Sequence, residues 1–438
     1  MRVLVIGGGG REHALVHAFC ASPQARQVFC APGNAGIAQE ADTVDIAADD
    51  LPGLLAFARR EKIDLTVVGP EVPLVAGVAD LFAENGLPVF GPRGDGARLE
   101  GSKVFAKEIM NEAHAPTGHY RRHTELAAAL RDVDTQETWP VVVKADGLAA
   151  GKGVIICQDA GEARAAVRLC LAERAFGEAG GTVLIEEFLS GTEVSLLALC
   201  DGTRVVPMAP AQDYKRIFAG DQGPNTGGMG SYCPVPGFSD GLAQTVVEDL
   251  FQPVLDALRR RGIEYRGVLY GGLIVTEHGI KLLEFNCRFG DPEIQAILPR
   301  LDSDLFEACL ATANGELDTV TLRWRPDPCV TIVAASAGYP ASSSKGDVIS
   351  GLSEAAALPD VTIYHAATAV HGHDIVTSGG RVLAVSALGN DFAAARERAY
   401  GALARLSFAG LQARADIADR AVQAQNGEIG LFPADWAS

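Results

Sequence analysis

Two apolar runs, Tyr270-Gly271-Gly272-Leu273-Ile274-Val275-Thr276 and Leu282-Leu283-Glu284-Phe285-Asn286, flank the polar segment Glu277-His278-Gly279-Ile280-Lys281. Strand, Gly-containing turn and strand predict a β-hairpin. Side chains two apart on a strand share a face, so Glu284 and Asn286 are expected together while Leu283 and Phe285 point into the core. A carboxylate beside a carboxamide oxygen suits Mg²⁺, a hard cation that takes oxygen ligands and shares them with phosphates. Taken alone, Glu284 and Asn286 also fit a solvent-facing strand end. The continuation Cys287-Arg288-Phe289-Gly290-Asp291-Pro292-Glu293 concentrates polar groups at a sharp turn. The whole stretch therefore points to a metal–phosphate site.

At the N-terminus the apolar run Arg2-Val3-Leu4-Val5-Ile6 meets Gly7-Gly8-Gly9-Gly10-Arg11-Glu12-His13, which opens a helical pattern. Strand, Gly-rich turn and helix start present backbone N–H groups and a positive dipole end to an anion. A dinucleotide site is disfavoured, because Glu12 stands at the third glycine of G-x-G-x-x-G and the next strand lacks a ribose-binding acid. The loop is expected to hold a phosphate; a tight structural turn is the alternative. Leu65-Thr66-Val67-Val68 runs into Gly69-Pro70-Glu71, placing an acid where open α/β sheets bind ligands. Strands alternating with helices make the first ~95 residues a doubly wound domain. A helix is expected over 97–113, with Lys103 and Lys107 on it, and a lysine there is more often solvated than a ligand.

Between the predicted strands at 139–145 and 153–156 lies Lys144-Ala145-Asp146-Gly147-Leu148-Ala149-Ala150-Gly151-Lys152-Gly153. Such a Gly loop with cations can fold over phosphates. It is not a Walker A loop, since no Ser or Thr follows Lys152. Glu186 and Glu187 end a further apolar strand, where unpaired buried carboxylates would be costly. They fit either a nucleotide-binding hinge or fully exposed acids. Residues 212–230, including Asp213, Lys215, Gly228 and Met229, read as a long polar loop of the kind that is usually functional. Beyond Arg325-Pro326-Asp327-Pro328, strands at 329–335 and 380–387 with a helix at 391–405 form a small α+β unit. A single helix is expected over 293–314.

Together these motifs resemble the phosphoribosylamine–glycine ligase family of ATP-grasp enzymes. The resemblance rests on Arg11-Glu12-His13, Gly69-Pro70-Glu71, Glu100-Gly101-Ser102-Lys103, Lys144-Ala145-Asp146-Gly147, Gln212-Asp213-Tyr214-Lys215-Arg216, Asn225-Thr226-Gly227-Gly228-Met229-Gly230, Thr377-Ser378-Gly379-Gly380-Arg381 and, above all, Arg288-Phe289-Gly290-Asp291-Pro292-Glu293. It implies ATP-dependent joining of glycine to 5-phosphoribosylamine, a step of purine synthesis. It implies Glu284 and Asn286 as ligands for Mg²⁺ or Mn²⁺, Lys103 and Lys144 on ATP phosphates, and the loop Gly147 to Lys152 and Gly153 closing over them. Glu186, Glu187 and Leu189 would line an adenine pocket, with Glu193 on ribose. Gly9, Gly10, Arg11, Glu12 and Glu71 would bind phosphoribosylamine. Asp213, Lys215, Gly228, Met229, Arg288 and Asp291 would surround glycine and the reacting centre, with Arg288, Lys215 and Asp291 catalytic. Tyr214 departs from the His found in many members.

The implied fold is α/β and α+β multidomain: a doubly wound N-terminal domain (1–102), a central ATP-grasp domain (103–327, with a mobile lid at about 120–190) and a C-terminal α+β domain (328–438). The formal net charge of −18 argues against a nucleic-acid partner. No apolar run reaches the ~18 residues of a membrane span, and the chain opens on a strand rather than a charged-then-apolar leader. Nine scattered cysteines without a C-x-x-C pair read as reduced thiols. A cytoplasmic monomer acting on small molecules is expected, standing alone without further fused domains.

Overall fold

The computed structural model describes residues 1–148 and 153–433; Gly151 and Lys152 lie outside the described residues. Strands β1 (Arg2–Gly7), β2 (Gln27–Pro32), β3 (Asp42–Thr43), β4 (Leu65–Val68) and β5 (Val89–Phe90) form a parallel sheet in the order β3-β2-β1-β4-β5. Val3 to Ile6 are completely buried, as expected for a parallel strand covered on both faces. The strand order reverses between β1 and β4, so the loops following these two strands, Gly8-Gly9 and Gly69-Pro70, open on one crevice.

The helix expected over 97–113 is two helices, Gly94–Gly101 and Lys103–Glu112. Ser102 between them is extended (φ −144°, ψ 115°), and its hydroxyl accepts the Phe105 N–H at 3.1 Å as an N-cap. The break puts Lys103 on the first turn of a new helix instead of in the middle of an old one.

Strands β6 (Tyr120–His123), β7 (Val141–Ala145), β8 (Val154–Cys157) and β9 (Val183–Glu187) make an antiparallel sheet in the order β6-β9-β7-β8. Helices Leu126–Asp134 and Ala160–Leu171 supply it with a separate core of Ala129, Val133, Val141, Val143, Val167 and Ile185. Next come β10 (Thr192–Asp201), β11 (Val205–Pro207), β12 (Gln212–Asp213), β13 (Arg216–Phe218), β14 (Gln222–Asn225), β15 (Gly230–Cys233), β16 (Arg266–Thr276) and β17 (Gly279–Asn286). The central sheet runs β11-β10-β16-β17. The stretch 212–230 is thus not one loop, because β13 and β14 pair as a hairpin inside it.

The hairpin β16–β17 forms with one correction. Gly272 pairs with Glu284 but Leu273 pairs with Leu282, so Leu283 is the extra residue of a β-bulge. Leu282 and Phe285 are the buried pair, and Leu283 is half-exposed. Glu284 and Asn286, beyond the bulge, keep their common face.

Strands β18 (Cys329–Ala335), β19 (Val361–His365), β20 (Thr368–His371), β21 (Asp374–Thr377) and β22 (Arg381–Leu388) follow, with helix Phe392–Leu403 packed on β18 and β22. Their main sheet is β12-β15-β18-β22-β19, so it takes in two strands from the 212–233 stretch. The helix expected over 293–314 is broken into Glu293–Ile297, a 3-10 turn Leu298–Arg300 and Leu305–Asn314. Asp304 caps the last piece by accepting the Phe306 N–H at 2.9 Å. All nine cysteines are free thiols, eight buried and Cys20 exposed. Among the described residues no helix is long and apolar enough to cross a membrane.

Candidate active site

The face of β17 carrying Glu284 looks onto a ring of cations. Burial opposes the Glu284 charge, yet Lys215, Lys144, Lys103 and Arg288 outweigh it and hold the carboxyl below its usual range. No described side chain is hydrogen-bonded or ion-paired to Glu284 directly. Asn286 Oδ1 accepts from Arg288 Nη2 at 3.2 Å. An anionic oxygen with open coordination beside a carboxamide oxygen fits a hard cation. Among the described residues no group of three or more His, Cys, Asp or Glu is placed to hold a metal ion. The pair would therefore hold a cation only together with outside oxygens, as Mg²⁺ bound through phosphates and water is held.

The lysines reach this ring from two directions. Asp146, at the end of β7, accepts the Ser102 hydroxyl at 2.9 Å and the Val104 N–H at 3.1 Å, pinning the helix start. Lys103 Nζ then donates to the Gly147 carbonyl at 3.1 Å. Gly147 has φ +151°, and a Cβ there would lie 2.6 Å from that of Ala179, so only glycine fits. Burial lowers the Lys103 pKa, partly offset by Glu284. Lys144 pairs with Glu186 at 2.8 Å, and Lys107 pairs with the same Glu186 oxygen at 3.2 Å.

Lys107 is 2 % exposed, not solvated, and also donates to the Thr117 hydroxyl at 2.7 Å. Glu186 is likewise buried, with Oε1 lacking a hydrogen-bond partner. Glu187 is exposed and accepts the His119 N–H at 3.1 Å. The two adjacent acids therefore differ: one is held between two lysines and the other faces out. Leu189, half-buried, packs beside Gly118 near the same edge.

Across the ring, Lys215 is ion-paired with Glu193. Burial works against the Lys215 charge, but Glu193, Asp213 and Glu284 together hold its pKa well above the usual lysine value. Burial pushes the Asp213 carboxyl up to about 7, against the pull of Lys215. Met229 is completely buried with Ile217, Ala335 and Tyr339, so its side chain packs and only its backbone borders the site. Tyr214 donates no proton here; its oxygen accepts the Ala418 N–H at 2.9 Å, and burial pushes its pKa up.

The loops of the crevice close the site. Glu12 Oε2 accepts the Gly9 N–H at 2.6 Å, and Oε1 accepts Arg11 Nε at 2.6 Å. One donor offered to a phosphate by the Gly-rich loop is thus engaged by the helix's own acid. A Cβ on Gly69 would fall 2.0 Å from Glu12 Oε1, so this glycine makes room for the carboxylate. Arg11 Nη1 reaches the Phe289 carbonyl at 3.3 Å. Arg288 lies between Glu100 (3.0 Å) and Glu71 (3.5 Å), and despite burial these acids raise its pKa. Asp291 stands against Gly9 and Gly10, whose added Cβ atoms would approach its carboxylate at 3.7 and 3.8 Å. Burial opposes its charge, but Arg381 and Arg11 keep its pKa below the usual value. At Gly228 (φ +110°) a Cβ would strike Pro292 Cδ at 2.3 Å, which locks the 226–228 turn onto Asp291-Pro292.

Three residues in this assembly carried no role in the sequence reading. Glu100 stood in a quoted motif, Arg381 in another, and Lys107 sat on a helix face that sequence alone left open. The signal for Glu100 was its place just before the helix break.

Comparison with known proteins matches three descriptions along the chain: phosphoribosylglycinamide synthetase N domain over residues 1–100, its ATP-grasp (A) domain over 101–294, and its C domain over 329–420. A phosphoribosylamine–glycine ligase of Caldanaerobacter subterraneus is 47 % identical over 419 residues, covering 95 % of this chain and 99 % of that protein. One from Pseudomonas aeruginosa is 48 % identical over 434 residues, covering 98 % of this chain and 100 % of its own length. The crystal structure of the Thermotoga maritima phosphoribosylamine–glycine ligase superposes with a TM-score of 0.82 at 32 % identity, covering 95 % of this chain and 100 % of that one. These matches follow one another along nearly the whole chain, which belongs to the phosphoribosylglycinamide synthetase family.

Proposed function

We propose that this protein uses ATP to join the glycine carboxylate to the amine of 5-phosphoribosylamine, giving glycinamide ribonucleotide, ADP and phosphate. The observation that carries this reading is the ring of Lys103, Lys144, Lys215 and Arg288 around Glu284, with Arg288 also held by Glu71 and Glu100 of the crevice. A carboxylate is a poor electrophile and must first take the γ-phosphoryl group. The glycine oxygen attacks phosphorus, ADP leaves, and the resulting glycyl phosphate is attacked by the sugar amine, expelling phosphate. Such chemistry calls for positioning and charge neutralisation more than for a nucleophilic side chain.

Lys103 and Lys144 neutralise the polyphosphate beside Gly147 and Gly153. Glu186, Glu187 and Leu189 border the base and Glu193 the ribose. Glu284 and Asn286 would hold Mg²⁺ or Mn²⁺, which supplies charge neutralisation between the phosphates when bound. Arg288 spreads its fork over the carboxylate and phosphoryl oxygens during transfer. Lys215 and Asp213 face the same centre, and an acid raised to about 7 is suited to accept the proton released by the attacking amine. Arg11, Glu12, Glu71, Gly9 and Gly10 hold the phosphoribosylamine, with Asp291, Gly228 and the backbone of Met229 at the join. A monomer in a cytoplasmic setting fits the free, mostly buried thiols.

The test is mass spectrometry of a reaction with MgATP, isotopically labelled glycine and phosphoribosylamine made in situ from ribose 5-phosphate and ammonia. Labelled glycinamide ribonucleotide that vanishes without ATP or sugar amine is expected. ADP release with glycine but without that product would change the acceptor; no ADP in any combination would defeat the reading.

A further inference from the structure

The Thr377-Ser378-Gly379-Gly380-Arg381 turn joins β21 to β22, and from the first position of β22 the side chain of Arg381 reaches out to the active site. Arg381 Nη1 donates to the carbonyls of Gly227 (2.6 Å) and Asp291 (2.8 Å), and Nη2 lies 3.2 Å from Asp291 Oδ2. The guanidinium is seated flat under Gly227, where an added Cβ would meet its Cζ at 3.0 Å. From the other side, the Tyr339 hydroxyl accepts the Gly227 N–H at 3.0 Å. Gly380 explains how Tyr339 gets there: a Cβ on it would strike the tyrosine ring at 2.4 Å. Both backbone groups of Gly227 are therefore held by the C-terminal sheet, and the same arginine holds both the carbonyl and the carboxylate of Asp291.

We propose that Arg381, supported by Tyr339, is a positioning residue that sets the spacing between the Gly227-Gly228 turn and Asp291, and so the acceptor side of the active site. The inference rests on the proposed siting of glycine and phosphoribosylamine at Asp291. A planar fork reaches two carbonyls from Nη1 and a carboxylate from Nη2 at once, whereas the donors of an ammonium radiate from one atom and cannot span the same acceptors. Lysine at 381 keeps the charge but releases one of the two segments.

The experiment compares Arg381→Lys, Arg381→Gln, Tyr339→Phe and Asp291→Asn by steady-state kinetics with each substrate varied in turn. Losing hydrogen bonds of this type raises the Michaelis constants for glycine and phosphoribosylamine roughly tenfold or more in both Arg381 variants. The ATP constant stays within about twofold, because no contact of Arg381 reaches the lysine ring. ADP release outpaces product formation, since an acyl phosphate with a misplaced acceptor is lost to water. Tyr339→Phe shows the same pattern more weakly. A uniform rise in all three constants, with ADP and product still equal, would make Arg381 a merely structural strut and overturn the proposal. Unchanged acceptor constants in both Arg381 variants, with raised ones in Asp291→Asn, would overturn the role of Arg381 alone. Unchanged constants in Asp291→Asn as well would overturn the siting of the acceptors at Asp291. Should Arg381→Gln fail to fold, Arg381→Lys decides between these outcomes.

Discussion

Replacing Glu186 by Gln tests the joint between the β6-β9-β7-β8 sheet and helix Lys103–Glu112, which carries Lys107. Glu186 on β9 is the acid between two ammonium groups, Lys144 at 2.8 Å and Lys107 at 3.2 Å, and all three residues are buried. The amide of Gln leaves two buried cations without their shared ion-pair partner, and breaking a buried pair in this way costs about 3–5 kcal/mol. Lys107→Met alone leaves Glu186 with Lys144, so its cost is nearer that of a hydrogen bond to a charged group, about 2 kcal/mol. The methionine also fills the space of the lysine stem. In the double variant the second cation is gone. It should therefore be at least about 1 kcal/mol more stable than the sum of the single losses allows. Urea unfolding followed by Trp139, which packs against the core of the β6-β9-β7-β8 sheet, reads this out in a background with the other two tryptophans changed to Phe. Single losses that add to within about 0.5 kcal/mol would refute the reasoning, because they would mean the lysine–glutamate contact carries no energy.

Glu284→Gln should abolish turnover while the protein remains folded, since a neutral amide is a weaker ligand for a hard metal and brings no charge against the surrounding cations; near-normal ATP-dependent rates would remove Glu284 from the metal site. Gly228→Ala should lose at least about tenfold in kcat/KM, because its Cβ would meet Pro292 at 2.3 Å in a left-handed conformation; wild-type kinetics would show that the 226–228 turn can shift freely. Between the N-terminal helix and the C-terminal sheet, His13 Nδ1 accepts the His365 N–H at 2.6 Å, and His13 Nε2 faces Glu40 at 3.2 Å. Burial and neighbouring His13 lower the His365 pKa from 6.5 to about 4. The associated stability is present above pH 6.5 and is lost as pH falls towards 4, about 2 kcal/mol of it by pH 5. His17, whose pKa is raised by its hydrogen bond to Glu40, works in the opposite direction. Urea midpoints at pH 7.5 and 5 should converge in His365→Asn; an unchanged acid loss in that variant would clear His365 of responsibility.

The parts of this protein readable from sequence are those whose information is local. The Gly-rich loop, the β16–β17 hairpin and, in the C-terminal unit, β18 and β22 each announce themselves by pattern and turn chemistry. The bulge at Leu283 does not, because it depends on the register with β16 as well as on the residues of β17. Lys107 is invisible for a similar reason: whether a helical lysine is solvated depends on which sheet covers it, and here a buried glutamate arrives from 79 residues away. The broken helices at Ser102 and Asp304 were legible in principle, since both residues are N-cap types. Apolar periodicity continuing across each cap concealed the break. Arg381 stood inside a noticed motif, but its targets, Gly227 and Asp291, lie far away in sequence and meet only in the folded chain.

The pairing of β15 with β18 places a seam of four residue pairs, Gly230–Ile332 through Cys233–Cys329, across the boundary where the family's A and C domains divide along the chain. Division by sequence and division by hydrogen bonding therefore do not coincide. Cutting the chain between the end of helix Leu305–Asn314 and Cys329 would yield two fragments, each with a bare strand edge shaped for the other. Neither would make a tidy stand-alone module, but coexpressed they should reassemble through that seam. For the same reason, genetic fusion or grafting of the C-terminal unit onto another scaffold would have to carry Gln212–Asp213 and Gly230–Cys233 with it.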